Sequence, residues 1–384
     1  VKAHRAAALV LLFACAHATA APRMQESVTS PAGLSRLLED VRAKNGLPAI
    51  GALIVRAEGA PVAAVTGVRK LGSAERAQAG DLWHIGSCTK SMTAALAGLL
   101  VDEGKIHWET TLAQAFPRLV PSMKPAWREV TLLQLLAHYG GMSSDSYPGG
   151  GGRWWLAREP LIKQRAEYTR LSVEAEPQAP PGTRHIYSNR GYTVAGAMLE
   201  QAAGAPWEEL MRERLWKPLG MVSSGFGAPG DPKRVDQPWG HRRVGGKLEP
   251  VPPGPAADNA PVIGPAGTAH CSLQDLGRYI AWVLRAQSGK PAPLSRESAE
   301  SLFKAPYGGE YALGWLMVER GWAGGTALTH AGSNTMNYCV LWIAPKRGFG
   351  IALTTNAGGE ESARALDEVA GALVTALAAE RGSR

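Results

Sequence analysis

Cysteine is scarce in this sequence, four residues in 384, and aromatic residues make up only 7%. So few thiols exclude a disulfide-stapled scaffold, and a chain of this length can bury a core without one. No basic tract interleaved with aromatics occurs. The net charge of +8 therefore reads as a scattered basic surface, and no nucleic-acid partner is expected. His-Glu-x-x-His and Cys-x-x-Cys are both missing and the nine histidines are dispersed, so neither a metal nor a cofactor is expected. Long apolar runs are lacking too. The stretch Ala6 to Cys15 is too short to span a bilayer as a helix.

That short apolar stretch follows Lys2 and Arg5 and precedes Ala18-Thr19-Ala20, a small-x-small cleavage site. The layout predicts a signal peptide over residues 1–20 and export to a periplasmic or extracellular location. Leu12-Phe13-Ala14-Cys15 loosely resembles a lipoprotein cleavage box, which would make Cys15 a lipid attachment point, although phenylalanine is atypical there. After cleavage Cys88, Cys271 and Cys339 remain, an odd number read as small buried hydrophobes.

Along the chain, Ser30 to Asn45 has apolar residues at helical spacing and Gly46 as a stop. Strand-like runs follow at Ala49–Arg56 and Val62–Val68, with a third ending near His84. Ser87 to Glu103 is Ala/Leu-rich and helical. Helix and loop then dominate to about residue 305, with helices at 132–136, 192–203, 207–215 and 273–286. Gly225 to Gly267 is rich in proline and glycine and reads as a long surface loop. Short strands return at 311–319, 326–329, 338–344 and 349–355 before a final helix over 361–379. Strands at both ends with helices between predict an α/β layer from residues 21–86 and 306–384, and a mainly helical insertion at 87–305.

Three short motifs carry chemistry. In "HIGSCTKSM", Ser87 and Lys90 stand three apart, on one face if a helix starts at Ser87. The helix dipole and burial against Ala94-Ala95-Leu96 would push the lysine towards a neutral amine able to take the serine proton. Alone the motif is weak, because Ser301-Leu302-Phe303-Lys304 repeats it. Tyr187-Ser188-Asn189 is the chain's one Tyr-x-Asn. The tyrosine can relay the nucleophile's proton and the asparagine can bind a substrate amide. In His330-Ala331-Gly332-Ser333 an edge strand can pair with an extended substrate. The amide of Ser333 can then join that of Ser87 in an oxyanion hole.

In this order the motifs resemble the penicillin-recognising serine hydrolases, a family of class C-type β-lactamases, D,D-peptidases and related esterases. "LLQLLAHYGGM", "GPAGTAHCSLQDLGRY" and "HAGSNTMNY" extend the likeness over nearly the whole mature chain. The resemblance implies an α/β (α+β) fold, an antiparallel sheet flanked by the terminal helices with an inserted helical domain. It implies Ser87 as acylated nucleophile, Lys90 as base, Tyr187 as proton shuttle, and Asn189, His330 and Gly332 as substrate-binding residues. It removes the decoy, since no Tyr-x-Asn follows Lys304. His330 stands where such β-lactamases carry lysine, and Ala331 replaces a hydroxyl residue; both argue against efficient recognition of a β-lactam carboxylate. The expected activity is hydrolysis of a small ester, amide or D-amino-acid peptide through an acyl-serine. The alternatives are a β-lactamase proper and a non-turnover penicillin-binding sensor. A Cys88 nucleophile is disfavoured because its side chain points about 100° from that of Ser87 on a helix. Gly141-Met142-Ser143 lacks the second glycine of a nucleophile elbow. The twelve tryptophans are scattered and read as packing residues.

Overall fold

The computed structural model describes residues 26–380, so the expected signal peptide and Cys15 lie outside the described residues. An antiparallel six-stranded sheet joins the two ends of the chain, in the order β2-β1-β11-β10-β9-β8. Its strands are β1 (Ala49–Arg56), β2 (Val62–Gly67), β8 (Leu316–Arg320), β9 (Gly325–Ser333), β10 (Tyr338–Ala344) and β11 (Phe349–Thr355). Three short strands, β3 (Leu82–His84), β4 (Gly225–Phe226) and β7 (Ala269–Ser272), form a separate sheet. A hairpin of β5 (Gly240–Val244) and β6 (Lys247–Val251) makes a third.

β1 and β11 lie side by side within the sheet, from Ile50 opposite Thr355 to Arg56 opposite Phe349. Both are buried on both faces, which explains their continuous apolar sequences. One face packs against helix α1 (Pro31–Lys44) and the C-terminal helix Glu360–Glu380, through Leu34, Leu38, Ile351, Leu366 and Leu373. The other face meets the helix Leu273–Gln287, through Leu53, Leu276, Ile280 and Leu341.

Helix α2 (Thr89–Asp102) runs through the middle of the larger core, with every residue from Thr89 to Leu100 buried. A helix apolar on all sides can sit only in an interior, and truncating a side chain such as Leu96 costs about 2–5 kcal/mol. That rigid, enclosed helix carries the Ser87–Lys90 motif at its start.

Several elements differ from expectation. The strand expected from Tyr311 begins at Leu316, because Ala312 and Trp315 close a turn by hydrogen bond (2.8 Å) around a left-handed Gly314. β9 continues to Ser333 and absorbs the His-Ala-Gly-Ser motif. Gly225 to Gly267 is not one loop: it holds β4 and the hairpin turning at Gly245-Gly246. The helix expected from Tyr192 starts at Asn189, since Ser188 caps it by accepting from the amide of Gly191 (3.0 Å). The helix Leu161–Glu174 and strand β7 were not expected at all.

Candidate active site

The turn that presents Ser87 is held from both ends. The amide of Ile85 donates to Ala269 O (3.0 Å), and Thr89 Oγ1 donates to Gly86 O (2.7 Å). The Gly86 amide donates to Nδ1 of buried His84 (3.1 Å), whose Nε2 lies 2.7 Å from Asp258 Oδ1. A short 3-10 turn, Gly86–Cys88, leads into α2. From Trp83 to Leu100, Ser87 alone is not fully buried. The sequence places the motif at a helix start, and the fold exposes the serine and little else.

Lys90 is entirely buried (0% exposed), and its Nζ has three neighbours. They are Ser87 Oγ at 3.0 Å, Asn189 Oδ1 at 2.6 Å and the Ala266 carbonyl at 2.7 Å. None is a carboxylate, so burial drives the amine well below its ordinary pKa. A neutral amine has two N–H donors and one lone pair. The Asn189 and Ala266 oxygens accept the two N–H groups, which leaves the lone pair for the Ser87 hydroxyl. This pattern fits a base that withdraws the serine proton.

Tyr187 sits beside this pair, with Lys90 Nζ 4.7 Å from its ring centroid and its hydroxyl hydrogen-bonded to the Ser87 side chain. Tyr187 keeps 40% of its surface exposed, and the partial desolvation of its hydroxyl raises its pKa, so at neutral pH the group is a phenol able to donate and relay a proton. Asn189 is the first residue of its helix, and both ends of its amide already have protein partners. Oδ1 accepts from Lys90 and Nδ2 donates to Ser146 Oγ (3.0 Å).

His330 is buried beneath the site. Its Nδ1 lies 2.7 Å from Ala331 O and its Nε2 lies 3.1 Å from the Tyr311 hydroxyl. Burial first, and the nearby Lys90 second, bring its pKa down to about 3. It is a neutral imidazole at any ordinary pH and offers no fixed positive charge. Gly332 is required by close packing: a Cβ there would stand 2.0 Å from Ile85 O and 2.6 Å from Ser87 N. Across the contact, a Cβ on Gly86 would stand 2.3 Å from Ser333 N. Two facing glycines thus let the backbone at Ser87 and at Ser333 approach closely. β8 pairs with β9 only as far as Thr329, so among the described residues no strand pairs with the outer side of His330–Ser333.

Cys88 turns its thiol to the His330 carbonyl (3.4 Å) and towards Cys339, away from the opening at Ser87. Sequence reading missed the Ala266 carbonyl, Ser146, Tyr311, the His84–Asp258 pair and His138. His138 and Ala266 lie inside the stretches quoted above for the family likeness, which is the one signal that pointed at them. Beyond Ser333 lies a cavity of about 610 Å³, lined by Tyr147, Trp155, Leu156, Pro255 and Met336 with Asp258 and Asn334.

A sequence model of the Beta-lactamase family matches residues 34–376. The chain belongs to the Beta-lactamase family. Within this family it is 27% identical over 314 residues to penicillin-binding protein 4 of Amycolatopsis lactamdurans, covering 76% of this chain and 77% of that protein. It is 29% identical over 162 residues to the D-alanyl-D-alanine-carboxypeptidase/endopeptidase AmpH of Escherichia coli (strain K12), covering 42% of this chain and 40% of AmpH. The structure of an octameric penicillin-binding protein homologue from Pyrococcus abyssi superposes with a TM-score of 0.70 at 25% identity, over 88% of this chain and 77% of that one. The Beta-lactamase fold and serine hydrolase family are therefore established for this chain. Among the described residues no helix is long and apolar enough to cross a membrane.

Proposed function

We propose that this protein is an exported serine hydrolase that cleaves a small ester or a D-amino-acid peptide through an acyl-Ser87 intermediate. One observation carries the reading: a fully buried lysine amine, with two N–H acceptors and no carboxylate partner, stands 3.0 Å from a partly exposed serine hydroxyl. Lys90 takes the Ser87 proton as Oγ attacks the substrate carbonyl. The amides of Ser87 and Ser333 stabilise the oxyanion. Tyr187, held as a phenol, gives its proton to the leaving group and regains one from protonated Lys90; water then attacks the acyl-serine, one of its protons returns to Ser87 Oγ, and the acid leaves.

Ester or peptide hydrolysis is favoured over β-lactam hydrolysis. Neutral, enclosed His330 and the methyl of Ala331 offer a carboxylate neither charge nor hydroxyl. No lysine or arginine lines the neighbouring cavity, and its aromatic and aliphatic wall suits an uncharged group. A second reading, a penicillin-binding protein that acylates without turnover, draws on the name of the Amycolatopsis relative.

The test is turnover of p-nitrophenyl esters, a D-Ala-D-Ala peptide and nitrocefin by purified protein, beside Ser87→Ala. Ester or peptide turnover that disappears in Ser87→Ala is expected, and full activity retained by that variant would overturn the assignment. Intact-mass measurement with a labelled penicillin separates the second reading, which requires a stable adduct without turnover.

A further inference from the structure

The residue with the least comfortable environment in the site is His138. It takes a left-handed backbone conformation (φ 64°), which an imidazole side chain rarely adopts, and it is buried. Its Nε2 is buried and has no hydrogen-bond partner. Left-handed strain and an unpaired buried nitrogen both destabilise, and such features persist where surrounding structure imposes them for a reason.

The surroundings supply the reason. The His138 carbonyl accepts from the Ile186 amide (2.8 Å), and its Nδ1 accepts from the Ser188 amide (3.1 Å). These are the residues immediately before and after Tyr187. The imidazole also packs on the Tyr187 ring, with centroids 4.5 Å apart, and on Tyr311, the partner of His330, at 4.7 Å. One residue therefore grips the backbone on both sides of Tyr187 and the face of its ring. Its carbonyl and its ring thus meet the same segment, Ile186–Ser188, from a residue held at positive φ.

We infer that His138 is a positioning residue that fixes the Tyr187 hydroxyl against Ser87 by clamping Ile186 and Ser188. The inference rests on the acyl-serine reading above, in which Tyr187 relays the proton. Nδ1 must be an acceptor for the clamp, which requires a neutral ring. Burial, then Lys90, His185 and His330, hold the His138 pKa well below its ordinary value. Asparagine tolerates the left-handed conformation and carries an amide oxygen close to where Nδ1 stands, so it can restore the grip.

The experiment is a double-mutant cycle on the substrate that wild type turns over, with fluorophosphonate labelling of Ser87 as a second rate. His138→Gly removes the ring without adding strain and is expected to lower kcat about 100-fold, close to Tyr187→Phe, with KM little changed. His138→Asn is expected to recover most of that loss, whereas His138→Gln, with its amide one carbon further out, is not. The combined Tyr187→Phe/His138→Gly protein is expected to be no slower than Tyr187→Phe alone. Losses that multiply in the double variant, or an asparagine variant no better than glycine at equal thermal stability, overturn the positioning role. Failure of wild type to be labelled at Ser87 is a different result: it overturns the acyl-serine reading and this inference with it.

Discussion

The chain contains Ser-x-x-Lys twice, and the folded protein treats the two copies in opposite ways. Ser87 and Lys90 open a helix whose first twelve residues are buried, so the lysine has no access to water and finds the serine, an amide and a carbonyl instead. Ser301 lies near the end of the seven-residue helix Arg296–Leu302 and turns its hydroxyl back to Glu297 O (3.1 Å). Lys304 falls beyond the end of that helix and is exposed. The spacing is identical and the surroundings are not. A serine three residues from a lysine becomes a nucleophile–base pair only where burial makes the charged amine unfavourable and a turn brings the hydroxyl to the surface.

Paired substitutions break this comparison most sharply. Ser87→Ala is expected to reduce turnover by about 10⁴-fold or more, and Lys90→Met by about 10²–10⁴-fold. Ser301→Ala and Lys304→Met are expected to stay within about twofold of wild type, since surface changes away from such sites cost little. Steady-state kinetics on the hydrolysed ester, with labelling of the serine as a cross-check, reads all four. A large loss at residue 301 or 304 would sink the distinction.

The pH profile of kcat/KM sharpens the same contrast. Burial lowers the Lys90 pKa, so the amine is neutral above that lowered value and protonated below it. Activity is expected to rise with pH along a limb lying well below the ordinary lysine value of about 10.4. Stability follows the same logic through the histidines. In the folded chain burial brings His330 to about 3, and His241 and His270 to about 4, whereas the unfolded chain protonates near 6.5. As pH falls below about 6.5 the unfolded state takes up protons that the folded state does not, and stability declines towards pH 4. Thermal unfolding across that range measures the slope, and His270→Gln is expected to flatten it.

The two regions also show what sequence makes visible. β1 and β11 are legible because burial on both faces requires continuous apolar runs, and the final helix because its apolar residues repeat at helical spacing. The roles proposed for Ser87, Lys90, Tyr187 and Asn189 are legible because such roles depend on residue type. The lysine's third neighbour is a backbone carbonyl, at Ala266, which any residue could supply. His138 acts through a backbone angle that its side chain does not announce. The helix Leu161–Glu174 was hidden for another reason. Its buried face includes Gln164, Arg165, Thr169 and Ser172, so no apolar period marks it. Arg165 can be buried only because Glu200 and Glu208, far along the chain, meet it at 2.7 and 2.6 Å.

The smallest expected effect concerns Cys88, the neighbour of the proposed nucleophile. A thiol beside the serine proposed to be acylated invites a catalytic role, but its surroundings oppose one. Cys88 is fully buried, its Sγ approaches the His330 carbonyl, and its free thiol lies beside that of Cys339, which stands opposite Gly332 in the sheet. That environment encloses the thiol away from solvent. Cys88→Ala is therefore expected to keep kcat within about threefold while losing about 1 kcal/mol of stability, the cost of a small cavity between α2 and β9. Thiol-alkylating reagents are expected to leave the folded enzyme unmodified at this position, as read by intact mass. A variant that lost activity on the scale of Ser87→Ala while still unfolding cooperatively would move the nucleophile from residue 87 to residue 88.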